Sequence, residues 1–367
     1  MVIEKKISSA QLVVLLVMSR VPFATGYFVG LGDDHSVQDV LPAMPVSFAI
    51  NFLTAIPLLF LMKLYPGKDP VECARLSLGK AGGYVAAAFY ALCFILVASY
   101  DVSAFDVYFR NSVMPEMGQM AVLIPMCIVV FYAAIKGIET LGRFGSVVIT
   151  VYTIVFLSIM CSFVSEINPG YLTPLFYDGP SVFLKSLLNG VISNVQIVYL
   201  AFCAPFLRKE AKPIRIFAWW NVISSLMIFL AEFTAVIVMG PFAGKQNVPM
   251  SALAIQSRVG VFERVDSLDM IAWIFETAFM TAFEIFLSIR CSDKIRRGRF
   301  TKFAVLISTA AILFVGPVIS KSFLLRRFIT LSPVAAAIAA AAVIVVPSII
   351  LICGKVKGGK TQNAQEA

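Results

Sequence analysis

Charged and metal-binding residues are scarce in this chain of 367 residues. Asp, Glu, Lys and Arg together make up only 14% of it, and a single histidine, His35, is present. The seven cysteines form no CxxC pair, and no zinc-protease, serine-hydrolase or nucleotide-binding motif occurs. We therefore expect no enzymatic activity, no bound metal and no cofactor.

Apolar residues dominate instead, at 59% of the chain, with a mean hydropathy of +0.89. They are grouped in runs of about 20 residues, the length that crosses roughly 30 Å of hydrocarbon. Only helices and closed barrels satisfy their own backbone there. The sequence predicts an all-α integral membrane protein with about ten transmembrane helices. The predicted spans are 11–31, 41–62, 82–109, 118–135, 145–165, 182–206, 214–240, 267–289, 301–320 and 333–353.

No polar stretch between these runs is long enough to fold into a soluble domain. We expect a single polytopic membrane domain over residues 1–355, followed by a flexible cytoplasmic tail at 356–367.

Lys and Arg concentrate in every second loop. The richest cluster lies at 290–302, whereas the first outer loop contains Asp33, Asp34 and Asp39 but no Lys or Arg. The positive-inside rule then places both termini in the cytoplasm. The net charge of +9 follows from this topology, so we expect no nucleic-acid partner.

Two spans carry residues that interrupt helices. In the sixth span, Asn189-Gly190 and Ser193, Asn194 and Gln196 lie in apolar surroundings. In the first span, Pro22 removes a backbone donor and Gly26 loosens the chain. That stretch reads Arg20, Val21, Pro22, Phe23, Ala24, Thr25 and Gly26. The two spans stand five helices apart, as an inverted repeat of five plus five helices requires. Alternatively, Pro22 marks an ordinary kink and the polar residues join neighbouring helices.

Carboxylates inside the spans are expected to have a functional or structural role, because placing a charge at mid-bilayer costs about 3 kcal/mol on insertion scales. Asp101 lies near the middle of the third span, and we assign it to a ligand site. Glu276, with Met280 on nearly the same side of the eighth helix, is assigned to the same cavity. Glu284, about 80° round the helix from Glu276, has two interpretations. It lines the same cavity, or it lies at the cytoplasmic end, where it meets Arg290 or water, and we favour the second.

Arg20 presents five donors that suit a carboxylate and keeps its charge in any environment. One interpretation is that it grips the carboxylate of a ligand at the helix break. The other is a structural role, in which Arg20 pairs with a buried acid such as Glu276 or Asp101.

Glu139 and Arg143 lie four residues apart at the start of the fifth helix. This spacing predicts an intrahelical ion pair. We interpret it as a cytoplasmic gate or structural latch and not as part of the ligand site.

Several short motifs, in order and at matching spacing, resemble one family over nearly the whole chain. They are Tyr65-Pro66-Gly67-Lys68, Leu78-Gly79-Lys80, Lys136-Gly137-Ile138-Glu139, Gly142-Arg143, Asn168 through Pro180 around Leu172-Thr173-Pro174-Leu175, Gly240-Pro241, and Phe262-Glu263-Arg264-Val265-Asp266 with Trp273. The chain resembles the spore germination permeases of the GerAB type, a branch of the amino acid/polyamine/organocation transporter superfamily.

The resemblance implies a LeuT-like fold, a five-plus-five inverted repeat with broken helices 1 and 6. It implies the ligand-sensing B subunit of a nutrient germinant receptor in the spore inner membrane. Its ligand would be a small amino acid or similar nutrient held between helices 1, 3, 6 and 8. Its partners would be membrane lipid, an A subunit and a lipoprotein C subunit.

The chain departs from the family pattern at the expected site. The family tends to have an acid where Gln196 stands, a Lys near Met280, and small residues where Arg20 to Phe23 lie. Two other functions therefore stay open, a proton-coupled amino acid permease and a membrane scaffold or channel-like subunit that binds no ligand.

Overall fold

The computed structural model describes residues 6–24, 37–110, 114, 116–177, 179–192, 195–208, 210–246, 248–258, 265–296 and 301–363. Over these residues the chain is almost entirely helical. The α-helices are α1 (Ser9–Ala24), α2 (Val40–Thr54), α3 (Ile56–Leu64), α4 (Pro70–Tyr108), α5 (Gln119–Lys136), α6 (Ile138–Ser162), α7 (Ser181–Ile192), α8 (Ile197–Phe202), α9 (Pro213–Met239), α10 (Pro249–Gln256), α11 (Asp266–Arg296), α12 (Thr301–Lys321), α13 (Phe323–Leu331), α14 (Pro333–Ala340) and α15 (Val346–Asn363).

Eight helical segments in the described part of the chain are long and apolar enough to cross a membrane. They match the predicted spans except the first and the sixth. Of the first span the structure describes α1, with 16 residues, and the sixth span consists of α7, with 12 residues, and α8, with six. The predicted all-helical membrane architecture is confirmed.

The third span begins earlier than its apolar run. Pro70 occupies the first turn of α4, where a missing backbone donor costs nothing, and the side chain of Asp69 accepts a hydrogen bond from the Glu72 amide at 3.0 Å. Gly79 has a φ of +84°, a conformation that glycine adopts easily. The helix therefore turns at Gly79, between a polar first segment and the apolar span.

At the other end of the chain, α15 continues to Asn363. Helix therefore occupies part of the segment that we expected to be a flexible tail. The division of the chain at residue 355 stays a prediction.

The central helices of the bundle are α4 and α11. Helix α11 packs against α4, α5, α6 and α12, while α1 packs against α6 and α9. Most of the apolar stretch of α11 is buried, in contrast to the tenth span. Polar side chains that α11 directs toward α4 and α8 are therefore shielded from lipid and water.

The first and sixth spans are joined at one end. The Ile7 amide donates to the Phe206 carbonyl at 2.9 Å, just before α1 and just after α8. Ser8 and Gln11 then cap α1 reciprocally, with bonds of 2.9 and 3.1 Å between each backbone amide and the other side chain. The start of the first span and the end of the sixth span are thus connected through the backbone.

Candidate functional site

Two carboxyl groups meet in the middle of the bundle. Asp101 on α4 and Glu284 on α11 are within hydrogen-bonding distance of each other. The hydroxyl of Tyr199, on α8, donates to Glu284 Oε1 at 2.8 Å. All three residues are buried. Helices α4, α8 and α11, which belong to the third, sixth and eighth spans, are therefore connected through one polar cluster.

Antiparallel packing of α4 and α11 explains this meeting. The Ser288 hydroxyl bonds to the Ala91 carbonyl at 3.3 Å, and the rings of Tyr108 and Trp273 lie 4.6 Å apart. In this register Asp101 and Glu284 are offset by more than one helical turn. Side chains lean toward the N-terminus of their own helix. In antiparallel helices the two carboxyls therefore lean toward each other, which closes the offset.

Aromatic rings surround the acid pair. Tyr199 makes edge contacts with Phe94 at 5.3 Å and with Phe283 at 5.7 Å, measured between ring centroids. Phe94 also contacts Phe202 at 5.1 Å. These rings keep water away from the carboxyls, and hydrogen bonds are stronger in such an environment.

Gln196 lies at the interruption of the sixth span, immediately before α8. Its side chain is fully buried, yet neither amide atom has a hydrogen-bond partner among the residues that the structure describes. Leaving a buried polar group unsatisfied costs about 1–3 kcal/mol. Gln196 therefore stays a predicted ligand residue, with both amide atoms available to a polar partner.

Glu276 and Met280 are also buried, on α11. Neither carboxyl oxygen of Glu276 has a hydrogen-bond partner within the described ranges. Its electrostatic neighbours are Asp101 and Asp269. The cavity face predicted for α11 thus consists of buried residues.

Arg20 is buried and bonds to α9. Its Nη1 donates to Asn221 Oδ1 at 2.9 Å and to the hydroxyls of Ser224 and Ser225 at 2.8 and 3.2 Å. The guanidinium carbon lies 5.3 Å from the Phe48 ring centroid and 5.2 Å from that of Trp220. These donors are satisfied without the ligand carboxylate, Glu276 or Asp101 that the sequence suggested as partners.

The remaining predicted site residues of the first span are described in part. Val21 is buried, and α1 continues through Pro22 and Phe23 to Ala24. The predicted residues Thr25, Gly26, Ser193 and Asn194 lie outside the described residues.

Glu139 and Arg143 form the predicted ion pair, with 2.6 Å between Arg143 Nη2 and Glu139 Oε1. The Arg143 side chain is 74% exposed, and exposed pairs of this kind contribute little stability. The role of this pair as a gate or latch stays a prediction.

Sequence reasoning placed Glu284 at the cytoplasmic end and omitted Tyr199. The structure corrects this placement, because Glu284 is fully buried against Asp101 and Tyr199. A carboxylate within a span is expected to face the protein interior. That rule, applied to Glu284 as it was to Glu276, is the signal that could have identified it.

The arrangement can hold protons and bind polar groups. Asp101 and Glu284 lie buried beside the phenol of Tyr199, and Glu276 is buried on the same helix as Glu284. Among the described residues no group of His, Cys, Asp and Glu is arranged to hold a metal ion. These side chains can bind a small polar or cationic molecule, or a proton.

Comparison with solved structures shows the fold. The crystal structure of MhsT in complex with L-phenylalanine is similar to this chain, with a TM-score of 0.63 and 13% sequence identity. The similarity covers 93% of this chain and 97% of MhsT. MhsT has the LeuT fold, so the predicted LeuT-like architecture is confirmed.

Comparison with known sequences shows the family. No curated protein matches the chain. The family model described as "Spore germination protein" matches residues 6–323, which is most of the chain. The family expected from the short motifs is thereby confirmed, and with it a multi-pass membrane protein related to transporters. The chain belongs to the spore germination protein family of membrane permeases.

Proposed function

We propose that this protein is the ligand-sensing membrane subunit of a spore nutrient germinant receptor. It binds a small amino acid or similar nutrient between α1, α4, α7–α8 and α11, the first, third, sixth and eighth spans. The observation that carries the proposal is Gln196, a buried amide without a described partner at the interruption between α7 and α8. A bound nutrient would satisfy this amide and remove the cost of burying it.

The chemistry of the surrounding groups suits an amino acid. The carboxyls of Asp101 and Glu276 can balance an ammonium group, and the Gln196 amide offers both a donor and an acceptor to a carboxylate. MhsT, which shares the fold, was crystallised with L-phenylalanine. Because Gln196 replaces the acid usual in the family, the ammonium group depends on Asp101 and Glu276.

A receptor subunit needs only a difference in ligand affinity between two conformations. We propose that the occupied protein favours a signalling conformation that an A subunit and a lipoprotein C subunit detect. Family membership supports these partners and a place in the spore inner membrane. The distribution of Lys and Arg supports cytoplasmic termini.

Replacing Gln196 by Met tests the site. Met has a similar length but no amide, so the unoccupied protein should gain about 1–3 kcal/mol of stability. Nutrient affinity should fall at least about tenfold, or about 1.4 kcal/mol. Thermal unfolding and calorimetric titration of the purified protein in lipid nanodiscs, against a panel of free amino acids, measure both effects.

The matched control is Gln256→Met, because Gln256 is exposed on α10. It should change neither stability nor affinity. If Gln196→Met destabilises the unoccupied protein, Gln196 is satisfied by the protein itself and the proposed site is wrong. If wild-type protein binds nothing from the panel, the scaffold function gains support.

The buried acids favour a second candidate, a proton-coupled amino acid permease. A permease would accumulate an amino acid in proteoliposomes when a pH gradient is imposed, whereas a receptor subunit would bind it without net uptake. If uptake occurs, Glu276→Gln should abolish it, because the amide cannot take up or release a proton in this range. Radiolabelled uptake with and without the gradient measures this, and undiminished uptake by the variant would exclude a role for Glu276.

A further inference from the structure

We propose that Asp101 and Glu284 share one proton, and that this protonated pair, held by Tyr199, is a proton-binding site that ties α4, α8 and α11 together. The pair shares Asp101 with the proposed nutrient site, but it includes Glu284 and Tyr199, which that site does not use, and it is present without any nutrient. Glu284 and Tyr199 thereby gain a role in proton binding that the sequence motifs did not indicate.

The hydrogen-bond inventory requires a proton. An ionised carboxylate only accepts hydrogen bonds. Tyr199 supplies a donor to Glu284 Oε1, but Glu284 Oε2 and Asp101 Oδ2 have no donor among the described residues. The two carboxyls are nevertheless within hydrogen-bonding distance. A single proton between them converts two mutually repelling acceptors into a donor and an acceptor.

The surroundings do not favour two negative charges. Burial disfavours each charged form, and neighbouring carboxylates disfavour each other further. The ionisable side chains that interact with the pair are acids and phenols: Tyr100 and Glu276 interact with Asp101, and Tyr199 interacts with both carboxyls.

The helices packed around this group add few cations. On α15, which packs against α4, the first ionisable residues are Cys353 and Lys355, and α10, which packs against α11, has none. Between Phe303 and Ser320, α12 has no ionisable residue, and α5 contributes only Cys127 and Tyr132 before its last residue, Lys136. On α1, Arg20 bonds to α9. On α6, Tyr152 lies near Glu276, and on α13 Arg326 acts on Tyr100. Among the described residues, no cation acts electrostatically on Asp101 or Glu284.

Loss of this proton would reverse the interaction. Two carboxylates would repel, the bond between α4 and α11 would break, and only the Tyr199 bond to Glu284 would remain. The pair is thus a contact between the third and eighth spans that holds only while protonated. Proton release would loosen the same helices that frame the proposed nutrient site.

Infrared spectroscopy of the full chain in lipid nanodiscs, without nutrient, tests this inference. Wild-type protein should show a protonated-carboxyl band that disappears as the buffer is changed from mildly acidic to alkaline. Asp101→Asn and Glu284→Gln should each remove this same band, because the amide donates to the remaining carboxylate. Glu166→Gln, at an exposed position, should leave it unchanged.

Tyr199→Phe provides a variant that keeps both acids. It should shift the frequency of the band without removing it, since it deletes one hydrogen bond to Glu284. Two separate bands, one lost with each acid, would show that the carboxyls hold protons independently and would overturn the proposal. So would a spectrum that neither acid variant changes. Because no nutrient is present, failure of the proposed receptor function would not affect either result.

Discussion

Replacing Arg20 by Met is expected to destabilise the folded protein by about 2–4 kcal/mol. Arg20 makes three hydrogen bonds to α9, and bonds to a charged group are worth about 1.5–3 kcal/mol each. Removing the charge also removes its desolvation penalty, which offsets part of this loss. The bonds outweigh that relief, because Asn221 and Ser224 would remain buried with fewer partners.

The measurement is the amount of protein in the membrane together with its melting temperature in detergent. Arg20→Lys should recover only part of the stability, because an ammonium group cannot reproduce the planar stacking between Phe48 and Trp220. Arg143→Met, at an exposed cation, is the matched control and should have little effect.

Two interpretations of Arg20 are separated by this experiment. If the Arg20→Met protein has normal abundance and melting temperature but no longer responds to nutrient, Arg20 binds the ligand. If Arg20→Met and Asn221→Ala destabilise less than additively when combined, the two residues stabilise the fold through one interaction. The contacts with α9 support the second result.

Most of the architecture was predictable because the bilayer imposes it. Length and hydropathy identify spans, since each must cover the same thickness of hydrocarbon. The polar residues near Gln196 predicted an interruption of the sixth span, and the structure divides this span into α7 and α8. The interruption predicted from Pro22 and Gly26 stays a prediction, because α1 continues through Pro22 and Gly26 lies outside the described residues. The start of α4 at Pro70 was missed, because a helix that continues into polar sequence has no hydropathy signal.

The partners of polar side chains were less predictable. The charge of Arg20 shows that it needs acceptors, but its actual acceptors lie about two hundred positions away on α9 and are common, neutral residues. Likewise, Glu284 was misplaced because its level in the membrane was judged from α11 alone. The pairing with Asp101 depends on the register between α4 and α11, which a single sequence does not encode in any local pattern.

A second large effect is expected at the ends of α4 and α11. Lys294 Nζ contacts Asp69 Oδ2 and lies 3.2 Å from Glu72 Oε1. The Asp69 side chain is only 3% exposed. Lys294→Met should cost about 3–5 kcal/mol, because it leaves this buried carboxylate without its cation. Chemical unfolding of the purified protein measures the loss, and Lys63→Met, at an exposed position on α3, is the control.

Asp69 has two roles, and a second variant separates them. Its other oxygen, Oδ1, caps α4 by accepting from the Glu72 amide. Serine is also a good N-cap. Adding Asp69→Ser to Lys294→Met should therefore restore most of the lost stability, because it removes the unpaired carboxylate and keeps the cap of α4. If Lys294→Met loses no more stability than Lys63→Met, the ion pair between Asp69 and Lys294 contributes little to folding.

The location of the Asp69–Lys294 pair connects it with the proposed proton site. Helices α4 and α11 are held together by this ion pair at their ends and by the Asp101–Glu284 pair within the bundle. Any motion that separates the two helices at these ends must break the ion pair first. Lys294→Met should therefore increase hydrogen exchange at the start of α4 and the end of α11, whereas Asp101→Asn should leave exchange at these ends unchanged. Equal increases in both variants would mean that the two contacts open together as one unit.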